Sequence, residues 1–191
     1  MENIDKSCCF TGYRLEKIGF DFNDSCPQYR QLLSRIATST AEMIEKGCVR
    51  FYTGMAMGFD IIAAEHIALI KKLNHSIKLI AVIPFKDQAK NWPKEWTARY
   101  FALLDECDEI ITLEDEYRIW AYEQRNRYMV DHSQYVLTYY DGKKGGTANT
   151  VKYAIKKNRE ILNIFFKDPL EEEKSRFKVQ LSLIPPDESD S

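Results

Sequence analysis

Six short apolar runs recur along the chain with helically spaced stretches between them, and that alternation leaves few folds open. The runs fall at residues 8–11, 49–53, 77–83, 109–113, 135–140 and 161–166. The intervening segments 29–46, 58–73, 92–106, 119–132 and 147–157 carry apolar side chains at helical intervals, as Leu32, Leu33, Ile36, Met43 and Ile44 do in the first. Pro27 stands where a first helical turn opens, and Gly47 stands where that helix stops. Repeated strand–helix–strand units predict an α/β fold: a Rossmann-like open parallel sheet with helices on both faces, in a single domain. The strands read as near-continuous apolar runs, as expected when both faces of a sheet are covered.

Residues 1–168 are expected to form this domain. Further on, the pattern gives way to Glu171-Glu172-Glu173 and a Pro- and Asp-rich ending. Residues 169–191 therefore read as a C-terminal extension, expected to be partly mobile, in which 177–184 has the pattern of an edge strand. Lys+Arg 27 against Asp+Glu 29 gives a net charge of −2, which argues against a protein that coats nucleic acid through a broadly basic surface. No apolar run reaches the roughly 18 residues of a membrane span, and the first residues lack the layout of a signal peptide. The five cysteines include no C-x-x-C pair, and His66, His75 and His132 have no ligand spacing. Reduced thiols, no metal, no cofactor, no membrane and a cytoplasmic location are the expectations.

Ligands of open parallel sheets bind beyond the carboxyl ends of the strands. Three loops at that edge have unusual chemistry. The first strand leads into Thr11-Gly12-Tyr13-Arg14, and the second into Thr53-Gly54-Met55-Ala56-Met57-Gly58-Phe59-Asp60. The fifth leads into Asp141-Gly142-Lys143-Lys144-Gly145-Gly146-Thr147. Glycine permits close backbone approach to a ligand, and the helix N-termini that follow offer free N–H groups to an anion. Arg14 and Lys144 supply positive charge. Each feature also has an ordinary structural use: Gly54 and Gly58 as turn glycines, Thr147 as an N-cap, Arg14 as a solvated side chain. Trp92 and Trp96, after the third strand, read either as core or as a stacking surface for a base. The loops form neither a G-x-x-x-x-G-K-[ST] phosphate loop nor a G-x-G-x-x-G fingerprint, which disfavours an ATPase or a nicotinamide enzyme.

The segment Cys9-Phe10-Thr11-Gly12-Tyr13-Arg14 resembles the F-T-G-H-R opening of the YpsA-like proteins of the SLOG superfamily. The second loop is similar to their S/T-G-x-A-x-G-x-D loop, which the DNA-processing protein DprA shares. Gly145-Gly146-Thr147 resembles in position the G-G-x-G-T loop of LOG phosphoribohydrolases. The resemblance spans roughly residues 6–166. It implies a ligand site built from Thr11, Gly12, Arg14, Thr53, Gly54, Gly58, Asp60, Gly145, Gly146 and Thr147, with Asp60 on ribose hydroxyls or a base edge. Three positions depart from the pattern: Tyr13 replaces a His, Leu15 a Pro, and Thr150 the hydrolases' Glu. Arg125 matches the hydrolases' helix arginine, so the catalytic candidates are Arg125, Asp60 and Glu123.

The resemblance thus implies, in a bacterial or phage context, a domain that binds or senses a nucleotide or a nucleotide-derived small molecule. An N-glycosidic nucleotide hydrolase is the first alternative, for which Arg125 and an acidic group are needed to support the developing oxocarbenium ion. Binding of single-stranded nucleic acid, as in DprA, is the second. Self-association into a homo-oligomer accords with related folds.

Overall fold

The computed structural model describes residues 4–166; the expected boundary at 168 and the edge strand at 177–184 lie outside them. A 3-10 turn leads into β1 (Ser7–Gly12), a one-turn helix α1 (Leu15–Ile18) and the long helix α2 (Pro27–Glu45). There follow β2 (Arg50–Thr53), α3 (Phe59–Leu73), β3 (Lys78–Ile83), α4 (Lys94–Asp105) and β4 (Glu109–Thr112). The chain then runs through α5 (Ala121–Asp131), β5 (Tyr135–Tyr139), α6 (Gly146–Lys156) and β6 (Glu160–Asn163).

All six strands pair in parallel, in the order β4-β3-β2-β1-β5-β6. From β1 the chain winds outward to β4, then crosses back to lay β5 against the other side of β1, with Thr11 beside Thr138. The loops after β1 and β5 therefore leave in opposite directions. Such a reversal opens a crevice at the carboxyl ends of the two strands.

The sheet is covered on both faces, as the apolar runs require. One face packs Cys8, Phe10, Phe51, Leu79 and Ala81 against Leu32 and Ile36 of α2, Ile62 of α3, and Trp96 of α4. The other packs Cys9, Tyr52, Ile80, Val82 and Val136 against Met129 and Val130 of α5 and Ala154 of α6. The neighbouring cysteines Cys8 and Cys9 thus enter different cores, because successive strand residues point to opposite sides. All five thiols are free, and burial pushes the Cys9 thiol up to about 12.

Pro27 opens α2, and Gly47 closes it with a φ of +92°, its N–H bonded to the Ile44 carbonyl at 2.8 Å. Several boundaries differ from those read in the sequence. α4 begins at Lys94, because Pro93 takes the N-cap position with an extended ψ of 144°. α5 begins at Ala121, so Ile119 and Trp120 belong to an exposed turn. β6 ends at Asn163, whose side chain leaves the ladder to bind the Tyr140 carbonyl at 2.8 Å. α1 has no counterpart in the sequence reading, since one turn is too short to display a period.

Burial separates two leucines with the same chemistry. Leu32 is fully buried, whereas Leu73 at the end of α3 is 91% exposed. In urea unfolding, Leu32→Ala is expected to cost about 2–5 kcal/mol, and Leu73→Ala no more than about 0.5 kcal/mol.

Candidate functional site

A cavity of about 460 Å³ lies at the crevice beside β1 and β5. Its walls come from the loops after β1, β2 and β5 and from the α5 side chains Tyr122, Arg125 and Asn126. Of the residues singled out in the sequence, Thr11, Gly12, Arg14, Asp60, Arg125, Gly145, Gly146 and Thr147 line it.

At its base lies a buried charge pair. Asp60, in the first turn of α3, is 5% exposed, and Arg125 of α5 is 4% exposed. Arg125 Nη1 stands 4.0 Å from Asp60 Oδ2 and donates a hydrogen bond to the Gly54 carbonyl. The Asp60 carboxylate accepts the backbone N–H groups of Ala56 and Gly12. One side chain therefore ties together the loops after β1 and β2. Desolvation pushes the Asp60 carboxyl up from 3.8 to about 6, with Arg125, the backbone donors and Arg14 holding it back. Burial likewise lowers Arg125, against the pull of Asp60.

Thr53, Gly54 and Gly58 stand behind the cavity wall. Thr53 Oγ1 donates to the Asp60 carbonyl at 3.2 Å and accepts the Met55 N–H at 3.1 Å. A Cβ on Gly54 would meet Arg125 Nη1 at 2.2 Å, and one on Gly12 would meet the Phe59 ring at 2.4 Å. Those glycines make room for protein side chains. Gly58 combines a φ of +111° with a Tyr13 carbonyl 2.7 Å from where a Cβ would stand. Between Gly54 and Gly58, the fully buried Met55 adopts a φ of 52°, a conformation that few non-glycine residues take. Gln88 Nε2 holds its carbonyl at 3.2 Å.

The other wall is open and positive. α6 starts at Gly146 with no side-chain cap, and nothing lies within 4 Å of where a Gly146 Cβ would be. Its first N–H groups and dipole face the cavity rather than a capping side chain. Thr147 does not cap this helix; its hydroxyl donates to the Gly12 carbonyl at 3.0 Å. Arg14 is exposed, with its guanidinium 4.7 Å from the centre of the Tyr122 ring. Lys17 and Lys143 also reach the lining, Lys143 pairing with Asp141 at 2.8 Å.

Tyr13 fills the seam between the β1 and β5 loops. It is 6% exposed and packs edge-on against Tyr139 and Tyr140. Its hydroxyl donates to Asp141 Oδ1 and accepts the Asp141 N–H at 3.2 Å.

The remaining candidates fall elsewhere. Glu123 is exposed on α5 and pairs with Arg127 at 2.5 Å. Thr150 Oγ1 donates to the Gly146 carbonyl at 3.1 Å and accepts from Asn126 at 2.8 Å. Trp96 is core, edge-on to Phe22, and Trp92 packs on Tyr100, so neither lines the cavity. The aromatics that do line it are Tyr13 and Tyr122, and Tyr122, Lys17, Asn126 and Lys143 are residues the sequence reading missed. Tyr122 lies three residues before Arg125 and shares its helix face, a signal available once Arg125 is assigned inward. Lys144, read as a counter-charge, is exposed and not among the lining residues.

The family model YpsA, described as the YspA SLOG family, matches residues 8–168. The chain belongs to the YpsA SLOG family. Its similarity to the SPbeta prophage-derived protein YoqJ of Bacillus subtilis (strain 168) is 35% identity over 143 residues, 68% of this chain and 84% of that protein. UPF0398 protein SERP1017 of Staphylococcus epidermidis is 25% identical over 138 residues, 71% of this chain and 73% of its own. In fold, this YpsA-family chain is similar to DNA processing protein A from Streptococcus pneumoniae, with a TM-score of 0.56 and 14% identity. That likeness covers 92% of this chain and 56% of the other, so the chain spans little more than half of that protein. DNA processing protein A from Helicobacter pylori gives a TM-score of 0.56 at 19% identity, over 92% of this chain and 74% of that one. Among the described residues no helix is long and apolar enough to cross a membrane.

The raised Asp60 carboxyl has a consequence for stability. Between its ordinary value of 3.8 and about 6 the unfolded chain gives up a proton that the folded protein keeps. Stability from this group therefore falls as pH rises through that window and is level above it. Asp60→Asn removes this pH dependence. Urea midpoints are expected to shift in favour of the variant as pH rises from 4 to 6, relative to wild type; a parallel pH dependence of the two proteins refutes the assignment.

Proposed function

We propose that this protein binds a nucleotide or a nucleotide-derived small molecule in the cavity between the β1, β2 and β5 loops. The observation that carries the reading is a local excess of positive charge in a chain of net charge −2. Four cations, Arg14, Lys17, Arg125 and Lys143, line the cavity against the carboxylates Glu16 and Asp60. The uncapped N-terminus of α6 faces the same space. A phosphate would sit at Gly145, Gly146 and Thr147 with Arg14 beside it, and a base would lie toward Tyr122. Thr11 and Gly12 form the floor. Asp60 enters this reading as a positioning residue, since its carboxylate already accepts two backbone N–H groups, and Thr53, Gly54 and Gly58 support it from behind.

A binding or sensing role is favoured over turnover by the residue three places after Thr147. Thr150 stands there with its hydroxyl satisfied by Gly146 and Asn126, and it supplies no carboxylate. An N-glycosidic hydrolase therefore remains the alternative reading, with Arg125 and Asp60 as its catalytic groups. The Helicobacter pylori relative in fold is described by its single-stranded DNA binding mode, and such binding here is the other alternative, marked by steep salt dependence. A cytoplasmic location belongs to the same proposal, supported by five unpaired cysteines.

Calorimetric titration of AMP, GMP, CMP and UMP tests the reading. Arg14→Ala is expected to weaken the bound nucleotide about tenfold or more, the scale of one charge-assisted hydrogen bond. Gly146→Asp places a carboxylate where the helix dipole welcomes it but a phosphate does not. Its melting temperature is expected to be unchanged or raised while binding is lost. Affinity unaltered in both variants overturns the proposal, and release of free base from the nucleotide makes the protein a hydrolase.

A further inference from the structure

Next to the phosphate-facing cavity runs a groove of about 550 Å³ between the N-terminal half of α5 and the length of α6 from Gly146 to Lys156. The two spaces share Tyr122, Asn126 and Gly146 as common walls, so they adjoin at the start of α6. We propose that this groove is a second subsite of the same ligand site, and that the ligand is a dinucleotide: two nucleoside units joined through phosphate. The proposal rests on the nucleotide-binding reading above and extends it.

Three observations carry it. The first is room. A cavity of about 460 Å³ is of the size that holds one drug-sized ligand, and the groove adds a volume at least as large. The second is direction. Tyr13 plugs the seam between the β1 and β5 loops, packed against Tyr139 and Tyr140 and bonded to Asp141. A ligand anchored at the start of α6 is thereby turned away from the sheet edge and toward α5. The third is chemistry. Lys152 and Lys156 are exposed along the groove, and neither has an ion-pair partner among the described residues. Arg127 adds a third cation, paired with Glu123, the groove's one carboxylate. Tyr122 and Tyr153 give it aromatic walls, and Asn149 gives it an exposed amide at the junction. Amide, aromatic and cationic groups in one groove suit a second base and a bridging phosphate better than they suit an apolar partner.

The test compares AMP with two dinucleotides, 5′-phosphorylated diadenylate (pApA) and diadenosine diphosphate, by calorimetric titration of the full chain. At least one dinucleotide is expected to bind about tenfold or more tightly than AMP. Lys152→Glu/Lys156→Glu, both on the exposed face of α6, is expected to erase that gain and to leave AMP affinity within about twofold. Equal affinity for AMP and both dinucleotides, untouched by the double charge reversal, overturns the second subsite and leaves the nucleotide site standing. No binding of any of the three overturns the nucleotide reading itself. A further gain of about tenfold on lengthening pApA to a ten-residue oligodeoxyadenylate overturns the dinucleotide in favour of single-stranded DNA.

Discussion

A carboxylate removed from water must find partners or stay protonated, and Asp60 does some of each. Two backbone N–H groups from separate loops point at it, and one guanidinium from α5 stands 4.0 Å away. Much of the site's architecture follows from that convergence. The loop after β2 must double back so that Ala56 can donate, and Met55 bears an unfavourable backbone angle at the bend. Gly54 must lack a side chain because Arg125 passes through the space it would take. Gly12 must lack one because Phe59, the residue before Asp60, packs there. The geometry around one buried anion thus dictates residue type at positions whose side chains would never reach it.

Arg125 works in the opposite sense. Its Nη1 is engaged by the Gly54 carbonyl and its Nε by Asn126 at 2.8 Å. Asn126 passes the connection to Thr150, and Thr150 to the Gly146 carbonyl in the first turn of α6. A polar chain therefore runs from the loop after β2, through α5, to the helix N-terminus that opens the cavity. Fully satisfied networks of this kind hold their members in one geometry. Two surfaces of the cavity that derive from distant parts of the chain are positioned together.

The architecture was legible because each strand is an unbroken apolar run and each long helix repeats its apolar face over several turns. The same physics hid what is short. α1 has four residues and no period, and β6 yields to the Asn163 side chain before its apolar run ends. For the site, the loops betrayed themselves through glycines, but not which glycines face a ligand. Gly146 opens onto empty space, whereas Gly12 and Gly54 are small so that Phe59 and Arg125 can be large. Tyr122 escaped notice because its spacing to Arg125 becomes a signal only once Arg125 is known to point inward, and that depends on α5 crossing back to the centre of the sheet. The tryptophans stayed open between core and ligand for a related reason: both follow a strand end, as ligand residues do, but Trp96 lies on α4, which packs on the opposite face, and Trp92 just before it packs on Tyr100.

The seam where β1 meets β5 joins the two halves of the winding, and the connections on its two sides diverge. The Tyr13–Asp141 contact and the Thr147–Gly12 bond are stitches across it, spanning residues more than a hundred positions apart in the chain. A guest held between Arg14 and Gly146 would be one more stitch, made of something other than protein. Occupancy and cohesion of the central seam are then two readings of one quantity, because whatever binds only the closed seam opposes its opening by mass action.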